Sequence, residues 1–130
     1  MANPGVELVS QLKKEPVELI ADQFYLTSAI TNILENAVKY GGSRINVTTK
    51  INGSFYQVAI QDNGMGIPDG EQEKVFAKFY RTEKGDVHNS KGLGLGLYYS
   101  QQIMTAHGGY IRVESATGKG STFTLFLPLV

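Results

Sequence analysis

Four polar side chains with ligand chemistry fall on one side of a predicted helix. Apolar residues recur at i, i+3, i+4 and i+7 through residues 26–40, which predicts an amphipathic helix with one buried stripe. Asn32, Asn36 and Lys39 lie on a neighbouring stripe, with Tyr40 at its edge. Amide oxygens can ligate a hard cation, and an ammonium can meet a phosphate. For this stretch alone, a solvated helix face is the simpler interpretation.

A carboxylate is predicted at the end of a half-buried strand. Apolar residues alternate through residues 56–60, and Asp62 shares the parity of the inward-facing positions. A buried charge needs a partner. Asp62 is either a turn residue that bonds its own backbone or an acceptor for a ligand amino group at the floor of a pocket. In the second case Gly64 and Gly66 let a flat ring lie against the main chain. Taken alone, the turn residue is the simpler interpretation.

A second glycine segment, GLGLGL at residues 92–97, enters a predicted helix. It is not the dinucleotide-binding fingerprint, because Tyr99 stands where the third glycine should be and no strand precedes it. Gly118-Lys119 is not a P-loop, because Gly120 replaces the required serine or threonine. A glycine run that enters a helix still offers backbone N–H groups and a positive dipole end to an anion. A flexible hinge fits that run equally well.

Composition indicates one compact domain over residues 1–130, with residues 1–4 as an irregular or artificial start. The 130 residues are 42% hydrophobic and 18% charged, which is ordinary for a soluble globular protein. A formal net charge of zero gives no footprint for nucleic acid, and the absence of cysteine excludes thiol catalysis and thiolate metal sites. No apolar run approaches the ~20 residues of a membrane span. His88 falls in a polar stretch, and His107 falls in the last turn of a helix, where a cation suits the dipole.

The order of predicted elements indicates an α+β fold. Strand patterns cover residues 6–12, 17–21, 45–51, 56–62, 110–114 and 122–127. Helices are predicted at residues 26–40 after an Asp22 cap, at 69–79 after an Asp69 cap, and at 92–107. Asn52-Gly53 predicts a hairpin, and the polar residues 81–91 predict a mobile loop of the kind that often serves as a lid. We predict a two-layer α/β sandwich with a mixed sheet of about five strands and three main helices on one face.

Five segments, taken in order, resemble the catalytic ATP-binding domain of sensor histidine kinases, a member of the Bergerat-fold superfamily. They are similar to its N box (residues 32–40), first glycine box (62–67), F box (76–81), second glycine box (92–97) and terminal Gly-x-Gly-Ser/Thr-x-Phe element (118–123). The resemblance covers about residues 16–128. Any one segment is a weak signal, whereas five in order are a strong one.

The resemblance implies a catalytic group that handles metal and phosphate. Asn36 would ligate a Mg²⁺ ion that bridges the phosphates, with Asn32 assisting. Lys39 would neutralise phosphate charge, and Arg81 and Lys91 could reach the terminal phosphates. The second glycine box would present backbone amides to the phosphates through Gly92, Leu93, Gly94, Leu95 and Gly96.

The resemblance also implies an adenine site. Asp62 would accept a hydrogen bond from the exocyclic amine of adenine, and Ser121 would reach the ring directly or through water. Gly64 and Gly66 would line the ring, and Tyr40 would lie near the adenine or ribose.

One position discriminates within the superfamily. Its ATPases, and the relatives that phosphorylate serine, carry a glutamate base four residues before the metal-binding asparagine. Asn32 occupies that position here and cannot act as a base, while Glu35 points off that face. Neutral imidazole is already a nucleophile near neutral pH, so the substitution favours transfer to histidine over hydrolysis. Leu93 and Tyr98 depart from the usual family residues without removing an obvious ligand.

The expected function is Mg²⁺–ATP binding and donation of the γ-phosphoryl group to a histidine on a dimerisation domain. That domain is missing, because no His begins a His-Glu/Asp-x-x-x-Pro type of box. The expected partners are the dimerisation and phosphoacceptor helices of a parent kinase and a downstream response regulator, with no nucleic acid and no direct membrane contact. A monomeric, cytoplasmic domain is expected, whether or not the parent is anchored in the inner membrane. The alternatives are a Bergerat-fold ATPase or serine kinase, and a non-catalytic nucleotide-binding interaction module.

Overall fold

The described chain forms a two-layer α/β sandwich. A computed structural model of the protein describes residues 7–12, 19–40, 42–77 and 96–130. In chain order, the elements are β1 (Glu7–Gln11), α1 (Gln23–Tyr40), β2 (Arg44–Asn52), β3 (Phe55–Asp62), two 3₁₀ turns (Asp69–Glu71 and Lys74–Phe76), α2 (Gly96–Ala106), β4 (Tyr110–Ala116) and β5 (Gly120–Pro128). The predicted α+β class and the five-stranded mixed sheet are confirmed.

The sheet brings three strand ends together. Its order is β1-β2-β3-β5-β4, with β1 parallel to β2 at one edge and the other neighbours antiparallel. The β2–β3 hairpin pairs Asn52 with Phe55 and turns through Gly53 at a φ of 62°, which confirms the predicted hairpin. Gln61 of β3 pairs with Thr122 of β5. The ends of β3 and β4 and the start of β5 therefore meet at one end of the sheet.

The core lies between the sheet and the two helices. From α1 it takes Ala29, Ile33 and Ala37, which are four residues apart and at most 3% exposed. The sheet contributes Ile45, Val58, Ile60, Ile111, Phe123, Leu125 and Leu127. The predicted apolar stripe of α1 is confirmed, and its margin is formed by Leu26, Ile30 and Leu34.

Helix α1 begins three residues before the predicted start. The Asp22 carboxylate caps it, because Asp22 Oδ1 accepts a hydrogen bond from the Tyr25 backbone N–H at 3.0 Å. The predicted start is taken from the spacing of the buried stripe. Phe24 and Tyr25 do not belong to that stripe, and they are 72% and 53% exposed. The predicted cap is therefore confirmed, and the helix start is corrected to Gln23.

The His107 ring joins the end of α2 to the start of α1. Its Nδ1 lies 2.8 Å from the Ile103 carbonyl oxygen, and its Nε2 accepts the Asp22 backbone N–H at 2.9 Å. A ring nitrogen that accepts carries no proton, so this geometry places the proton on Nδ1. The His107 ring therefore serves as an acceptor for the start of α1.

Helix α2 ends in a glycine motif close to the predicted position. Gly108 has a φ of 77° and donates to the Thr105 carbonyl oxygen at 3.0 Å. Gly109 donates to the Met104 carbonyl oxygen at 2.9 Å. This pair of bonds is the Schellman pattern, which satisfies the last carbonyl groups of a helix. Residues 92–95, the predicted opening of this helix, lie outside the described residues.

The predicted third helix is wrong for the residues described. Between residues 69 and 77 the structure has two 3₁₀ turns, and Asp69 does not act as a side-chain cap. Gly70 disfavours a continuous helix, and Ala77 is extended, with a ψ of 147°. Val75 is buried, and the Phe76 and Phe123 rings meet edge to face at 6.1 Å. Phe76, the first residue of the F-box segment, is therefore attached to the core, and residues 69–77 form no α-helix.

Two further predictions fall partly or wholly outside the described residues. Residues 19–21 form no strand, although Leu19 packs against the core, so the strand predicted at residues 17–21 is wrong over its described part. The predicted loop at residues 81–91 lies outside the described residues, as do residues 1–4. Among the described helices, none is long and apolar enough to cross a membrane.

Replacement of Asp22 tests whether its carboxylate stabilises α1 as an N-cap. Asp22→Ala removes the acceptor for the Tyr25 N–H, and we expect the free energy of unfolding to fall by about 1 kcal/mol in urea denaturation. Asp22→Asn keeps a capping oxygen and should lose much less. An equal loss in both variants would show that the carboxylate acts through its charge and not as a cap.

Candidate functional site

The buried carboxylate of Asp62 lies at the end of β3, where the strand ends meet. Asp62 is 8% exposed, and its Oδ1 accepts hydrogen bonds from the backbone N–H groups of Gly64 at 2.9 Å and Ser121 at 3.2 Å. Burial raises the pKa of Asp62 above its ordinary value of 3.8, and the two backbone donors partly oppose that rise. Among the described residues, no hydrogen bond reaches Oδ2. Asp62 is thus both a turn residue that bonds its own backbone and a carboxylate with one oxygen left to accept a ligand donor.

A hydroxyl network supports Asp62 from the β4–β5 hairpin. Ser121, 7% exposed, has its Oγ 2.8 Å from the Oγ of Ser115, its register partner on β4. Ser115 Oγ also accepts the Ile67 backbone N–H at 2.7 Å and donates to the Gly120 carbonyl oxygen at 2.9 Å. The glycine turn after β3 is therefore held on β4 and β5 by side-chain hydrogen bonds.

The Gln72 side chain adds a third attachment. Its Nε2 donates to the carbonyl oxygen of Ser115 at 2.7 Å and to that of Ile67 at 3.3 Å. The 3₁₀ segment is thereby fixed to both the end of β4 and the glycine turn. Ser115 and Gln72 were not among the predicted site residues.

Two glycines allow the end of β3 and the turn after it to approach the β4–β5 hairpin closely. Gly66 has a φ of 76°, and a Cβ atom there would overlap the carbonyl oxygen of Ala116. Gly120 has a φ of 83°, and a Cβ atom there would overlap the carbonyl oxygen of Asp62. Both conditions exclude an ordinary side chain. The glycines therefore set the spacing between the β3 end and the β4–β5 hairpin.

The polar stripe of α1 begins beside the start of α2. Asn32 and Asn36 are half-buried and Lys39 is exposed. At the Asn32 end, the side chain of Asn32 lies 3.7 Å from where a Cβ atom of Gly96 would be, which places the start of α2 beside it. Tyr40 ends α1 eight residues later, about 12 Å along the helix axis, but its side chain is outside the described atoms.

At the other end of α1, the Asn63 side chain connects the helix exit to the Asp62 floor. Asn63 Oδ1 accepts the backbone N–H groups of Ser43 at 3.0 Å and Arg44 at 2.9 Å, and its Nδ2 donates to the Ser43 hydroxyl at 3.2 Å. A Cβ atom at Gly42 would lie 2.8 Å from Asn63 Oδ1. The stripe therefore leads from the start of α2 to the residue that follows Asp62.

The donor set on this stripe fits a magnesium ion held mainly by a ligand. Among the described residues, no group of three or more His, Asp or Glu side chains is placed to hold a metal ion. Asn32 and Asn36 instead offer two amide oxygens one helical turn apart. Mg²⁺ commonly takes one or two protein oxygens and completes its shell with water and phosphate oxygens. The two amides meet that requirement.

The predicted site residues fall into two groups, those that the structure describes and those that it does not. In addition to the residues of the α1 stripe and Asp62, the described group contains Gly64, Gly66, Gly96 and Ser121. The remaining members of the predicted set, Arg81, Lys91, Gly92, Leu93, Gly94 and Leu95, lie outside the described residues.

The sequence held one usable signal for Ser115. It continues the alternation of Ile111 and Val113, which face the core side of β4. A turn centred on Gly118, between the strand patterns at residues 110–114 and 122–127, also pairs it with Ser121. By contrast, the Gln72 contacts depend on the path of the 3₁₀ segment, which no periodic pattern indicates.

Known proteins resemble this chain in sequence. The family model described as histidine kinase-, DNA gyrase B- and HSP90-like ATPase matches residues 21–130. Sensor protein RprX of Bacteroides fragilis is 39% identical over 128 residues, which cover 95% of this chain and 25% of RprX. Sensor histidine kinase WalK of Bacillus subtilis is 35% identical over 127 residues, which cover 95% of this chain and 21% of WalK. The chain thus spans about a quarter of the length of the curated relatives it matches.

Solved structures resemble it in fold. The mycobacterial sensor histidine kinase MprB superposes with a TM-score of 0.80 at 30% identity, covering 96% of this chain and 83% of MprB. A nucleotide-free catalytic domain of histidine kinase ThkA gives 0.79 at 26% identity, covering 95% of this chain and 80% of that domain. Full-length ShkA in complex with AMPPNP gives 0.83 at 25% identity, covering 97% of this chain and 26% of ShkA. The predicted ATP-binding fold and the resemblance behind it are confirmed.

Substitutions at Gly118 and Gly120 distinguish the cost of a close contact from the cost of a left-handed backbone. Gly118 and Gly120 have φ values of 81° and 83°, but a Cβ atom at Gly118 would meet no atom within 4 Å. Gly118→Ala should therefore lose only the cost of a left-handed residue, about 1 kcal/mol in urea denaturation. Gly120→Ala must also displace the Asp62 carbonyl and should lose about 2 kcal/mol more. Equal losses would mean that the approach of β5 to Asp62 does not constrain the fold.

Proposed function

Since this chain belongs to the family of histidine kinase-, DNA gyrase B- and HSP90-like ATPases, we propose that it binds Mg²⁺–ATP and donates the γ-phosphoryl group to a histidine. The acceptor histidine would lie on a dimerisation domain of a sensor kinase. The neighbours support this reading, because ThkA and MprB are histidine kinases and ShkA was solved with AMPPNP.

The observation that carries the proposal is the buried Asp62 carboxylate, whose Oδ2 accepts no hydrogen bond from the part of the chain that the structure describes. Oδ1 is occupied by the backbone N–H groups of Gly64 and Ser121, so Oδ2 is left for a ligand donor. The exocyclic amine of adenine is such a donor. A carboxylate in a desolvated floor gains more from that bond than it would in water, and it rejects a ligand that presents an acceptor there.

The polar stripe of α1 supports the phosphate end of the proposal. It begins beside Gly96, and the residues just after its other end are bonded to Asn63, which follows Asp62, so the stripe would flank the path of an extended nucleotide. Asn36, with Asn32 assisting, would hold the Mg²⁺ ion, and Lys39 would neutralise phosphate charge. When bound, Mg²⁺ supplies charge neutralisation on the β- and γ-phosphate oxygens. The chain's residues orient the triphosphate and keep it on one side of α1.

Asn32 favours histidine over water or serine as the acceptor. Removing a proton from water or a hydroxyl needs a base, and the amide of Asn32 has none to offer. Glu35 is exposed, whereas Asn36 and Asn32 are half-buried. A neutral imidazole attacks the γ-phosphorus without first losing a proton from the attacking nitrogen. The acceptor chemistry therefore matches a site that lacks a base at this position.

The proposed partners follow from the same relatives. A histidine donor of this type would work with the dimerisation and phosphoacceptor helices of its parent and with a response regulator. We propose a cytoplasmic, monomeric domain that has low turnover alone, since positioning of the acceptor supplies much of the rate.

Replacement of Asp62 separates binding from folding. Asp62→Asn keeps an oxygen for the Gly64 and Ser121 N–H groups but presents an amide to the ligand. We expect ATP affinity, measured by calorimetry with Mg²⁺, to fall about tenfold to a hundredfold, the scale of a hydrogen bond to a charged group. Unchanged affinity would show that Asp62 does not bind the base.

The same variant should not lose stability at neutral pH. Because the pKa of Asp62 is raised on folding, the folded state holds this proton more tightly than the unfolded chain. Its stability therefore falls as pH rises from the ordinary pKa through the folded pKa, and the ionised group remains unfavourable above it. In urea denaturation at pH 7, Asp62→Asn should equal or exceed the parent protein. That advantage should shrink as pH falls toward 3.8.

Phosphoryl transfer tests the enzymatic part of the proposal. The chain, mixed with the dimerisation helices of its parent and γ-labelled ATP, should produce acid-labile phosphohistidine. Asn36→Ala should lower the rate by about a hundredfold or more, which is the usual effect in enzymes of removing one group that stabilises charge in the transition state. Glu35→Gln, a change on the exposed face beside it, is the matched control and should retain the rate.

Two outcomes of that assay would replace the kinase proposal. ATP binding without any phosphohistidine would favour a nucleotide-binding interaction module. Robust hydrolysis by the chain alone, abolished in Asn36→Ala but retained in Asn32→Ala, would favour an ATPase that uses a more distant base.

A further inference from the structure

A buried serine joins the two helices within their contact. Ser100 of α2 is fully buried, and its Oγ donates a hydrogen bond of 2.8 Å to the backbone carbonyl oxygen of Ala29 in α1. Because Ala29 lies inside α1, the same oxygen also accepts the backbone N–H of Ile33, four residues later. The Ala29 carbonyl therefore has a partner without Ser100. An apolar residue at position 100 would leave no buried acceptor unpaired.

The Ser100 bond fits a fixed lengthwise alignment of the two helices. At the start of α1, the backbone N–H of Asp22 donates to the His107 ring at 2.9 Å. Ala29 follows Asp22 by seven residues, and Ser100 precedes His107 by seven, so the helices run antiparallel with equal steps between the two contacts. Apolar side chains allow one helix to shift along another, whereas a buried polar contact favours a single register.

This register decides which residue of α2 stands beside Asn32. The described part of α2 begins at Gly96, four residues before Ser100. A Cβ atom on Gly96 would lie 3.7 Å from the Asn32 side chain, which is an ordinary contact distance. Close packing against α1 therefore does not require a glycine there. The start of α2 lies beside Asn32 because of how the two helices are aligned.

We propose that Ser100 is a positioning residue for the phosphate end of the nucleotide site, because it holds the start of α2 against the polar stripe of α1. The backbone N–H groups and the positive dipole end at the start of a helix stabilise an anion only at short range. With the Ser100 bond in place, Gly96 is held beside Asn32 before a ligand binds. This inference rests on the proposed function, since it assumes that the phosphates lie along that stripe.

The base end of the proposed site does not depend on the Ser100 bond. Asp62 is held by the backbone N–H groups of Gly64 and Ser121, which belong to the glycine turn and to β5. Loss of the Ser100 hydroxyl should therefore weaken the contribution of the phosphates to binding and leave the contribution of the adenine amine unchanged. A general loss of structure would weaken both contributions.

Calorimetry separates the two contributions. The phosphate ratio is the dissociation constant of adenosine divided by that of Mg²⁺–ATP. The amine ratio is the dissociation constant of purine riboside triphosphate divided by that of ATP, both with Mg²⁺. We expect Ser100→Ala to lower the phosphate ratio about fivefold, because the nucleotide must then supply the ordering that one neutral hydrogen bond supplied, and to leave the amine ratio unchanged.

Two further variants complete the test. Ser100→Cys fills the same space with a weaker donor, so it should also lower the phosphate ratio, and it serves if the alanine variant does not fold. Ser28→Ala is the matched control, because Ser28 Oγ donates to the Phe24 carbonyl oxygen at 3.0 Å within α1 and this bond joins no second helix. Ser28→Ala should leave both ratios unchanged.

Three results would overturn the inference: a phosphate ratio that is unchanged in both Ser100 variants, one that falls equally in Ser28→Ala, or an amine ratio that falls by the same factor. Failure of the proposed function looks different. In that case the parent protein would bind adenosine and ATP equally well, or Asp62→Asn would bind ATP as tightly as the parent protein.

Discussion

The site depends on one buried carboxylate, of which only one oxygen accepts hydrogen bonds from the described residues. Asp62 gives one oxygen to backbone N–H groups from two segments, the glycine turn and β5. A charge in such a place is unfavourable unless it is hydrogen-bonded, and burial raises its pKa accordingly. The fold accepts this cost at the point where three strand ends converge. A buried carboxylate whose pKa is raised, at a place where strand ends converge, is typical of a functional site.

The surrounding elements keep that floor in a fixed relation to the polar stripe of α1. Below the floor, Gly120 allows β5 to touch the Asp62 backbone, and Ser115 connects β5 to the glycine turn. Beside it, Asn63 joins the exit of α1 to the residue after Asp62. At the far end, the start of α2 lies against Asn32, and the buried Ser100 hydroxyl donates to the Ala29 carbonyl oxygen. Asp62 and the polar stripe of α1 are thus held in place by contacts that do not involve a ligand.

Sequence patterns predicted the helices and strands in which one face is buried along the whole element. The stripe of α1 follows from a repeat of 3.6 residues and the burial of Asp62 from a repeat of two, whereas the β2–β3 hairpin follows from the Asn52-Gly53 turn signal; all three are confirmed. Where a segment is stabilised by single contacts, the pattern failed. The 3₁₀ turns after the glycine segment are held by Gln72, and no repeat encodes that contact. His107 was interpreted from its position on a helix, whereas its role depends on Asp22, 85 residues away.

The direct test of the central claim pairs a change in the protein with a change in the ligand. Affinities for ATP and for purine riboside triphosphate, which lacks the exocyclic amine, are measured in the parent protein and in Asp62→Asn. If Asp62 accepts from that amine, removing the amine should weaken binding tenfold or more in the parent protein and far less in the variant. An equal loss in both proteins would show that the amine and the carboxylate do not meet, and the adenine site would have to be sought elsewhere.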